Sequence, residues 1–348
     1  MANERIQLDI STSSILKAIL LILFFVFLYI LKDVLIIFLF ALVIASGISP
    51  FANWLDARKF PRVLGVLGLY LIILGLAAFI LSLVIPYISD DIRRLIGSLP
   101  IVVERVSSSL DNVQQSSPQY LDFLGELQNI LEGLSSYLQQ ASQSVVGLIV
   151  SIFGGVFSFV SILIISFYLA VTKKGIEVFL GSVVPEKYEG YVVSLWKRTE
   201  VKVGQWLQAQ LLLGLIVGLM VYIGLSLMHI KFALLLSLLV MVLELVPMVG
   251  PVVAAIPAVI LAFIQSPTLG LWVVILYIVI QQLENHILVP YIMGKRLGLN
   301  PVVVIIALLV GSKLAGIPGM ILAVPISTIL VEVLDDVARQ KESRRSNL

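Results

Sequence analysis

Long apolar segments with almost no charge recur along the chain and constrain its fold more than any other feature. A helix that spans a bilayer needs about 20 mainly apolar residues. The candidates are residues 15–31, 34–48, 63–85, 145–171, 207–228 and 269–290. Of the 348 residues, 59% are hydrophobic and only 13% are charged, whereas soluble domains carry about 25% charged residues. We therefore expect an all-α polytopic membrane protein.

Residue usage excludes several kinds of chemistry. The chain has no cysteine and two histidines, so disulfides, thiol nucleophiles and Cys- or His-rich metal sites are excluded. No residues are arranged as nucleophile, base and oxyanion hole, and there is no glycine-rich phosphate loop. A net charge of +2 does not favour nucleic acid as a partner. The sequence therefore predicts a protein that is not an enzyme.

The distribution of lysine and arginine predicts the orientation of the chain. Residues 56–62 and 173–202 are rich in these cations, which in membrane proteins concentrate in cytoplasmic loops. Residues 88–143 hold more acids than arginines and no lysine, so we expect them outside. Both termini are then cytoplasmic. Because residues 173–202 also contain aromatic side chains, they predict a helix that lies on the membrane surface.

The outer segment, residues 88–143, does not read as a simple loop. Its apolar residues recur every three or four positions, which predicts two amphipathic helices. The clearest series is Leu124, Leu127, Leu131, Leu134 and Leu138. The apolar stripes of these helices pack within the chain, against a neighbouring subunit or on lipid. The second alternative would make the protein a homo-oligomer.

Two further apolar segments are too long and too interrupted to be ordinary spans. Residues 233–264 and 301–332 would each reach about 48 Å as a straight helix, against a hydrocarbon core of about 30 Å. The first contains ELVPMVGP at residues 244–251, and the second contains GSKLAGIPG at residues 311–319. Proline and glycine interrupt a helix at such points. A re-entrant hairpin, which enters and leaves on the same side of the membrane, satisfies both observations.

The two interrupted segments share a weak internal repeat. Residues 250–257 (GPVVAAIP) align with residues 318–325 (PGMILAVP) at an offset of 68. If both segments are hairpins, Lys295 and Arg296 fall on the cytoplasmic side, as the charge rule requires. We therefore predict about six full spans plus two re-entrant helical hairpins, or eight spans, with an inverted repeat in the C-terminal half. Secondary transporters use this plan repeatedly.

These features divide the chain into five parts. They are residues 1–87 with three spans, 88–143 as the outer insert, 144–206 with the fourth span and the surface helix, 207–334 as a transport core of two helix-plus-hairpin repeats, and 335–348 as a cytoplasmic tail. Within the core, Gly214 and Gly218 form a GxxxG pair, which predicts close helix packing.

Polar side chains within apolar segments mark candidate functional positions, because an ionisable group there costs about 2.5–3.5 kcal/mol. Glu244 either couples transport to an ion or proton, contacts the solute, forms a salt bridge with Lys313, or caps a half-helix. Glu284 and Asn285 either present a functional helix face together with Gln281 or form an interfacial polar cluster. The candidate pathway residues are Glu244, Pro247, Gly250, Pro251, Pro257, Gln281, Glu284, Asn285, Asn300, Gly311, Lys313, Gly316, Gly319 and Pro325.

Four motifs in the C-terminal third resemble those of a known family. They are ELVPMVGP at 244–251, QQLENHILVP at 281–290, MGKRLGLNP at 293–301 and GIPGMILAVP at 316–325. Together they resemble the AI-2E family of transporters, the autoinducer-2 exporter-like permeases, and the similarity covers essentially the whole chain. The resemblance implies a multi-pass protein of the bacterial or archaeal plasma membrane. Members are described as exporters of autoinducer-2 or as exchangers of Na⁺ or Li⁺ for protons.

The sequence and the resemblance together predict a secondary transporter of the AI-2E type that moves a small polar metabolite or an autoinducer-2-like signal. Its hairpin-containing core would move against a scaffold made by the first four spans. The alternatives are a Na⁺(Li⁺)/H⁺ antiporter that uses Glu244 or Glu284, and a channel or membrane scaffold assembled through the outer helices. The expected partners are a small polar solute, lipid and further copies of the chain. No cofactor is expected, apart from a coupling Na⁺ or H⁺.

Overall fold

A computed structural model describes residues 12–76, 78–79, 82, 155–172, 175–293 and 300–346. These residues are almost entirely helical, and none of them belongs to a β-strand. The helices are α1 (Thr12–Ile30), α2 (Lys32–Ala57), α3 (Arg62–Leu76), α4 (Val156–Val171), α5 (Gly175–Val183), α6 (Glu186–Leu227), α7 (Ala233–Leu243), α8 (Val249–Gln265), α9 (Pro267–Leu283) and α10 (Pro301–Ser346). The predicted all-α class is confirmed.

Several helices in the described part of the chain are long and apolar enough to cross a membrane. There are four of them: Lys32–Ala57, Glu186–Leu227, Pro267–Ile292 and Val302–Arg339, of which the last is interrupted at Ala315 and Gly316. Helices α4 and α5, which are bent by 87° at the break between them, would make a fifth if they formed one span. A membrane protein with several apolar helices is therefore confirmed. The full count of spans, the re-entrant hairpins and the inverted repeat stay predictions.

Some predicted features lie outside the described residues. These are the outer insert at 88–143, the beginning of the fourth span before residue 155, and the cations Lys173, Lys174, Lys295 and Arg296. Within the described ranges, the predicted third span overlaps a helix at Arg62–Leu76, and the predicted fourth span overlaps a helix at Val156–Val171.

Helix α2 forms the centre of the first half of the fold and packs against α4 and α6. Where α2 crosses α6, Gly204 allows the two backbones to approach, because a Cβ atom at this position would collide with the carbonyl group of Ser46. Helix α3 is held to α4 by Tyr70, whose hydroxyl donates a hydrogen bond of 2.7 Å to Ser166 Oγ. Helices α2, α3 and α4 thus pack as one unit against the N-terminal half of α6.

Helix α6 is continuous over 42 residues. The sequence predicts a separate surface helix before a span at 207–228, and this expectation is wrong for residues 186–202. Pro185 caps the start of α6, and no later proline interrupts it, so surface segment and span form one helix. At ~1.5 Å per residue α6 is about 63 Å long, roughly twice the thickness of a hydrocarbon core. The predicted domain border at 206–207 lies inside this helix.

Helices α7 and α9 pack against α6, and α8 packs against α7 and α9, around a second core. Ala254, Ala258 and Ala262 recur every four residues on α8 and are fully buried, so they form a small-residue stripe that lets neighbouring helices approach. Only Ser266 separates α8 from α9. Pro267 stands in the first turn of α9, where no backbone donor is needed. This core carries the first interrupted segment and the polar residues beside it.

Candidate functional site

The first interrupted segment breaks at residues 244–248, between α7 and α8. Met248 has a φ of 67° and a ψ of −43°, and the N–H of Val249 donates to the carbonyl oxygen of Pro247 at 2.8 Å. This geometry matches the rare γ-turn with positive φ, which is strained for a residue that has a Cβ atom. Gly250 follows so close to Leu243 that an added Cβ atom would collide with the Leu243 carbonyl oxygen. The predicted break is therefore present.

The second interrupted segment breaks within α10. Ala315 (φ −146°, ψ 17°) and Gly316 (φ 61°, ψ −136°) have non-helical backbone angles. A Cβ atom added to Gly311 or to Gly319 would collide with the carbonyl group of the other residue. Residues eight apart in a continuous helix are separated by about 12 Å along its axis. The chain therefore folds back at Gly316, and the two halves of the segment pack side by side.

The two breaks are built alike in ways that follow the sequence repeat. When the two segments are aligned at the offset of 68, Met248 corresponds to Gly316, and both residues have positive φ. In the same alignment Leu243 corresponds to Gly311, and the carbonyl group of each of these residues lies against a glycine on the far side of the break. The repeat thus has a structural counterpart at the turns, although one turn uses methionine where the other uses glycine.

Replacing Met248 with glycine is expected to raise the free energy of unfolding by about 1 kcal/mol, because release of the strained φ outweighs the entropy that glycine loses on folding. Val249→Gly is the matched control, since Val249 is similarly exposed but belongs to helix α8. That change should destabilise the protein by a similar amount. Thermal unfolding of the purified protein in detergent measures both. A lower melting temperature for Met248→Gly would show that Met248 is not strained.

Two carboxyl groups meet beside the first break. Glu244 is 1% exposed and Glu284 is 5% exposed, and the two carboxyl groups lie close enough to interact electrostatically. Glu284 Oε2 also accepts a hydrogen bond of 3.3 Å from Gln281 Nε2. Glu244 Oε2 is buried without a hydrogen-bond partner among the described residues. Because ionised carboxylates only accept hydrogen bonds, a bond between two of them requires one proton. The pair is therefore suited to hold a proton.

Helix α6 brings a third polar side chain to this pair. Gln210 is buried, its Nε2 donates to the main-chain carbonyl oxygen of Glu244, and its Oε1 has no partner in the described part of the chain. Gly214 lies one turn further along, and a Cβ atom there would stand 3.4 Å from the Glu244 Cβ. Gly214 and Gly218 both face the backbone of α7, so the predicted close packing at the GxxxG pair is confirmed.

The sequence contained a signal for Gln210 that the motif search did not use. Gln208 and Gln210 stand inside the predicted span 207–228, where an amide side chain must find a partner or remain unpaired. Gln208 donates a hydrogen bond of 2.7 Å to the carbonyl oxygen of Gly47 on α2. The two glutamines thus tie α6 to two different helices, and only Gln210 reaches the carboxyl pair.

Helix α9 continues through a π turn at Glu284–Leu288 and a short helix at Val289–Ile292. Gln281 donates a hydrogen bond to Glu284, which is buried, whereas Asn285 is exposed, so Asn285 does not join the other two residues as the predicted helix face requires. Single π turns frequently mark functional sites. Here the π turn begins at Glu284, the residue that lies beside Glu244.

The other predicted pathway residues support the local backbone. Pro251 and Pro257 are buried within α8, and Pro325 is buried within α10. Pro247 is the carbonyl acceptor of the γ-turn at Met248. Asn300 Oδ1 accepts the N–H of Val302 at 2.9 Å, which is the usual role of a residue that caps the beginning of a helix.

Lys313 does not pair with Glu244, so the salt bridge considered in the sequence analysis is wrong. Lys313 is exposed, and no ion pair of its side chain occurs within the described residues. The space around Glu244 is occupied by Gly214 and Gln210 of α6 and by Glu284. Glu244 therefore has a second acid as its neighbour and not a cation.

Ion pairs join α6 to α10 at what we call the charged end, the end of α6 that carries Arg198 and Lys202. Arg198 donates to both carboxylate oxygens of Asp336, at 3.2 and 2.5 Å. Lys202 pairs with Glu332, which is 7% exposed and also lies 3.7 Å from the Arg198 guanidinium. This network fixes the second half of α10 against α6.

These features define a multi-pass α-helical membrane protein with interrupted helices and a buried polar site. Irregular backbone in such a protein is tolerated where it is buried in protein or lines a cavity, as in membrane transporters. Comparison with known proteins agrees: the family model described as AI-2E family transporter matches residues 18–339. The chain belongs to the AI-2E family of transporters.

Individual relatives give the same general function. YueF of Bacillus subtilis (strain 168), provisionally named as a transport protein, is 29% identical over 309 residues, which cover 86% of this chain and 83% of YueF. YrrI of the same organism, named in the same way, is 27% identical over 308 residues and 86% of each chain. PerM of Escherichia coli (strain K12), provisionally named as a permease, is 28% identical over 280 residues, or 77% of this chain and 76% of PerM. The predicted family and membrane transport as the general function are confirmed.

Proposed function

We propose that this protein is a secondary transporter that exchanges protons for Na⁺ or Li⁺ through the carboxyl pair Glu244 and Glu284. The observation that carries the proposal is the burial of two adjacent carboxyl groups beside a broken helix. Intramembrane acids of this kind are costly, and proton relays and ion pathways are where they recur. A protein that only needed packing here would have used apolar residues.

The oxygen atoms around Glu244 support a site that alternates between a proton and a cation. Glu244 Oε2 and Gln210 Oε1 are both buried and lack hydrogen-bond partners among the described residues. A monovalent cation could accept both of these oxygens as ligands together with Glu284. Helix α7 ends at Leu243, and the carbonyl groups of half-helix ends coordinate ions in other transporters. When the cation leaves, one proton shared by the two acids replaces its positive charge, so the net charge of the site is the same in both states.

The proposed cycle uses the two interrupted segments as re-entrant hairpins of opposite orientation, with the charged end in the cytoplasm. Support comes from the matched breaks at Met248 and Gly316 and from the cations at residues 56–62 and 173–202. In this arrangement the core helices α7–α10 move against α2–α4, and Glu244 faces each side of the membrane in turn. The transport of a small polar solute is the second candidate, which a polar cavity described below favours.

Purified protein in proteoliposomes that enclose a pH-sensitive dye tests the proposal. The membrane potential is clamped by equal K⁺ concentrations and an ionophore. External Na⁺ or Li⁺ should then make the liposome interior alkaline, because each cation that enters is exchanged for a proton that leaves. Choline chloride at the same concentration controls for osmotic effects. The proposal is wrong if Na⁺ and Li⁺ change the internal pH no more than choline does, or no more than in protein-free liposomes.

A further inference from the structure

A polar cavity of about 670 Å³ lies at the charged end, between α2, α3, α5 and α6. Sites for small molecules commonly have volumes of about 300–1,000 Å³. The charged side chains of the lining are Asp56, Arg62, Glu177, Lys197 and Glu200, and Ser49 and Asn53 lie among them. None of these residues belongs to the carboxyl pair at Glu244, and the motif resemblance gives none of them a role. The cavity is therefore a separate feature of the fold.

Arg62 supplies a fixed positive charge on one side of the cavity. Its Nε donates to the carbonyl oxygen of Ala170 at 3.0 Å, and its Nη1 donates to Asn53 Oδ1 at 2.6 Å. A guanidinium has five N–H donors in a rigid plane, so further donors remain after these two bonds. Because the group is already held in place, it loses little freedom when it binds a carboxylate.

Glu200 supplies a fixed negative charge from another helix. Its Oε1 accepts a hydrogen bond of 2.8 Å from Ser49 Oγ, and an ionised carboxylate has room for several more donors. The remaining pair, Lys197 and Glu177, lies 3.2 Å apart, so these two charges compensate each other. Asp56 on α2 is a third acid in the lining and has an interaction partner of its own. The cavity thus presents one oriented cation on α3 and one oriented anion on α6.

We propose that this cavity binds a small zwitterionic solute, between an amino acid and a short peptide in size. Its carboxylate would bind Arg62 and its ammonium group would bind Glu200. A neutral polyol would leave both charges without a counter-ion, and a purely anionic or cationic solute would satisfy only one of them. Binding at this cavity does not depend on proton exchange at Glu244; the second candidate function, transport of a small polar solute, enters only in treating the bound solute as cargo.

Equilibrium binding to the full-length protein in lipid nanodiscs tests the inference. The probes are glycylglycine, N-acetylglycine without the ammonium group, glycinamide without the carboxylate, and glycerol. Glycylglycine should bind saturably, and each of the other probes should bind at least about tenfold more weakly, because a hydrogen bond to a charged group is lost. Equal affinity for all four, or no saturable binding of glycylglycine, would overturn the proposal.

Two variants assign the charges, and a third is the control. Arg62→Gln should remove the preference for glycylglycine over glycinamide, and Glu200→Gln should remove the preference over N-acetylglycine. Arg58→Gln, four residues from Arg62 and outside the cavity lining, should change neither preference. Unchanged preferences in both test variants would overturn the proposal. The readout is binding alone, so it is independent of the proton-exchange measurement.

Discussion

Replacing Glu244 with glutamine is expected to reduce Na⁺-dependent proton movement to the level of protein-free liposomes while leaving the protein folded. Glutamine has nearly the same shape as glutamate, but its amide cannot bind and release a proton. Glu284→Gln should have the same effect, because the two acids share one site. The stability of the fold should be maintained, since each variant removes an acid from the buried pair and leaves a neutral group of equal size.

The control for this prediction is Glu186→Gln, an exposed acid in the first turn of α6. It loses the same charge without touching the carboxyl pair, so its transport rate should match that of the parent protein. The measurement is the initial rate of dye response after Na⁺ addition, normalised to the amount of folded protein recovered from each liposome batch. Full activity in both Glu244→Gln and Glu284→Gln would exclude the pair as the coupling site.

Replacing Gly311 or Gly319 with alanine is expected to lower the free energy of unfolding by about 1–3 kcal/mol, the usual effect of forcing atoms into a packed interior. Each added methyl group meets a backbone carbonyl of the opposite half-helix, which cannot rotate out of the way as a side chain can. The two halves of α10 must therefore separate at the second break. Transport should fall together with stability, because the break could no longer hold its shape.

Gly75→Ala is the matched control for this pair. Gly75 lies in helix α3, and an added Cβ atom there would meet no other atom within 4 Å. Alanine is the better helix former, so this change should leave the melting temperature unchanged or raise it slightly. Melting temperatures measured in the same lipid nanodiscs decide the comparison. If Gly311→Ala, Gly319→Ala and Gly75→Ala melt alike, the two half-helices do not pack as closely as described.

The helix breaks were predictable from the sequence because their causes are local. Proline removes a backbone donor and glycine permits positive φ, so residues 244–251 and 311–319 signal an interruption without any knowledge of the neighbours. What local chemistry cannot supply is the identity of the turn residue. The positive φ lies at Met248 and not at Gly250, because the close approach to Leu243 requires the glycine two positions after the residue with positive φ.

The carboxyl pair was only half predictable. Glu244 and Glu284 each stand out as acids in apolar segments, but their contact depends on how α7 packs against α9 and on the π turn at Glu284. No periodicity in the sequence reports a π turn of five residues. A salt bridge between Glu244 and Lys313 was a reasonable hypothesis because the two side chains have opposite charges. The actual neighbours of a buried group, however, are determined by helix packing.

The polar cavity at the charged end could not be found from the sequence at all. Its lining comes from four helices that are distant in the chain, and each contributing residue looks like an ordinary surface residue on its own. The continuous helix α6 was missed for a related reason. Charges and tyrosines in residues 186–206 are typical of an interfacial segment, and only the uninterrupted backbone shows that they extend a span.

The length of α6 has a practical consequence. In the proposed orientation a bilayer takes up about 20 of its residues, and the remainder, about 30 Å long, continues on the cytoplasmic side beside α2 and α10. If the proposed cycle tilts the membrane-embedded half, the tip of α6 moves with it, because the helix is continuous. Because the chain contains no cysteine, a single one introduced near the tip would carry a fluorophore at a unique position. The fluorescence of this label would then report the proposed motion of the core.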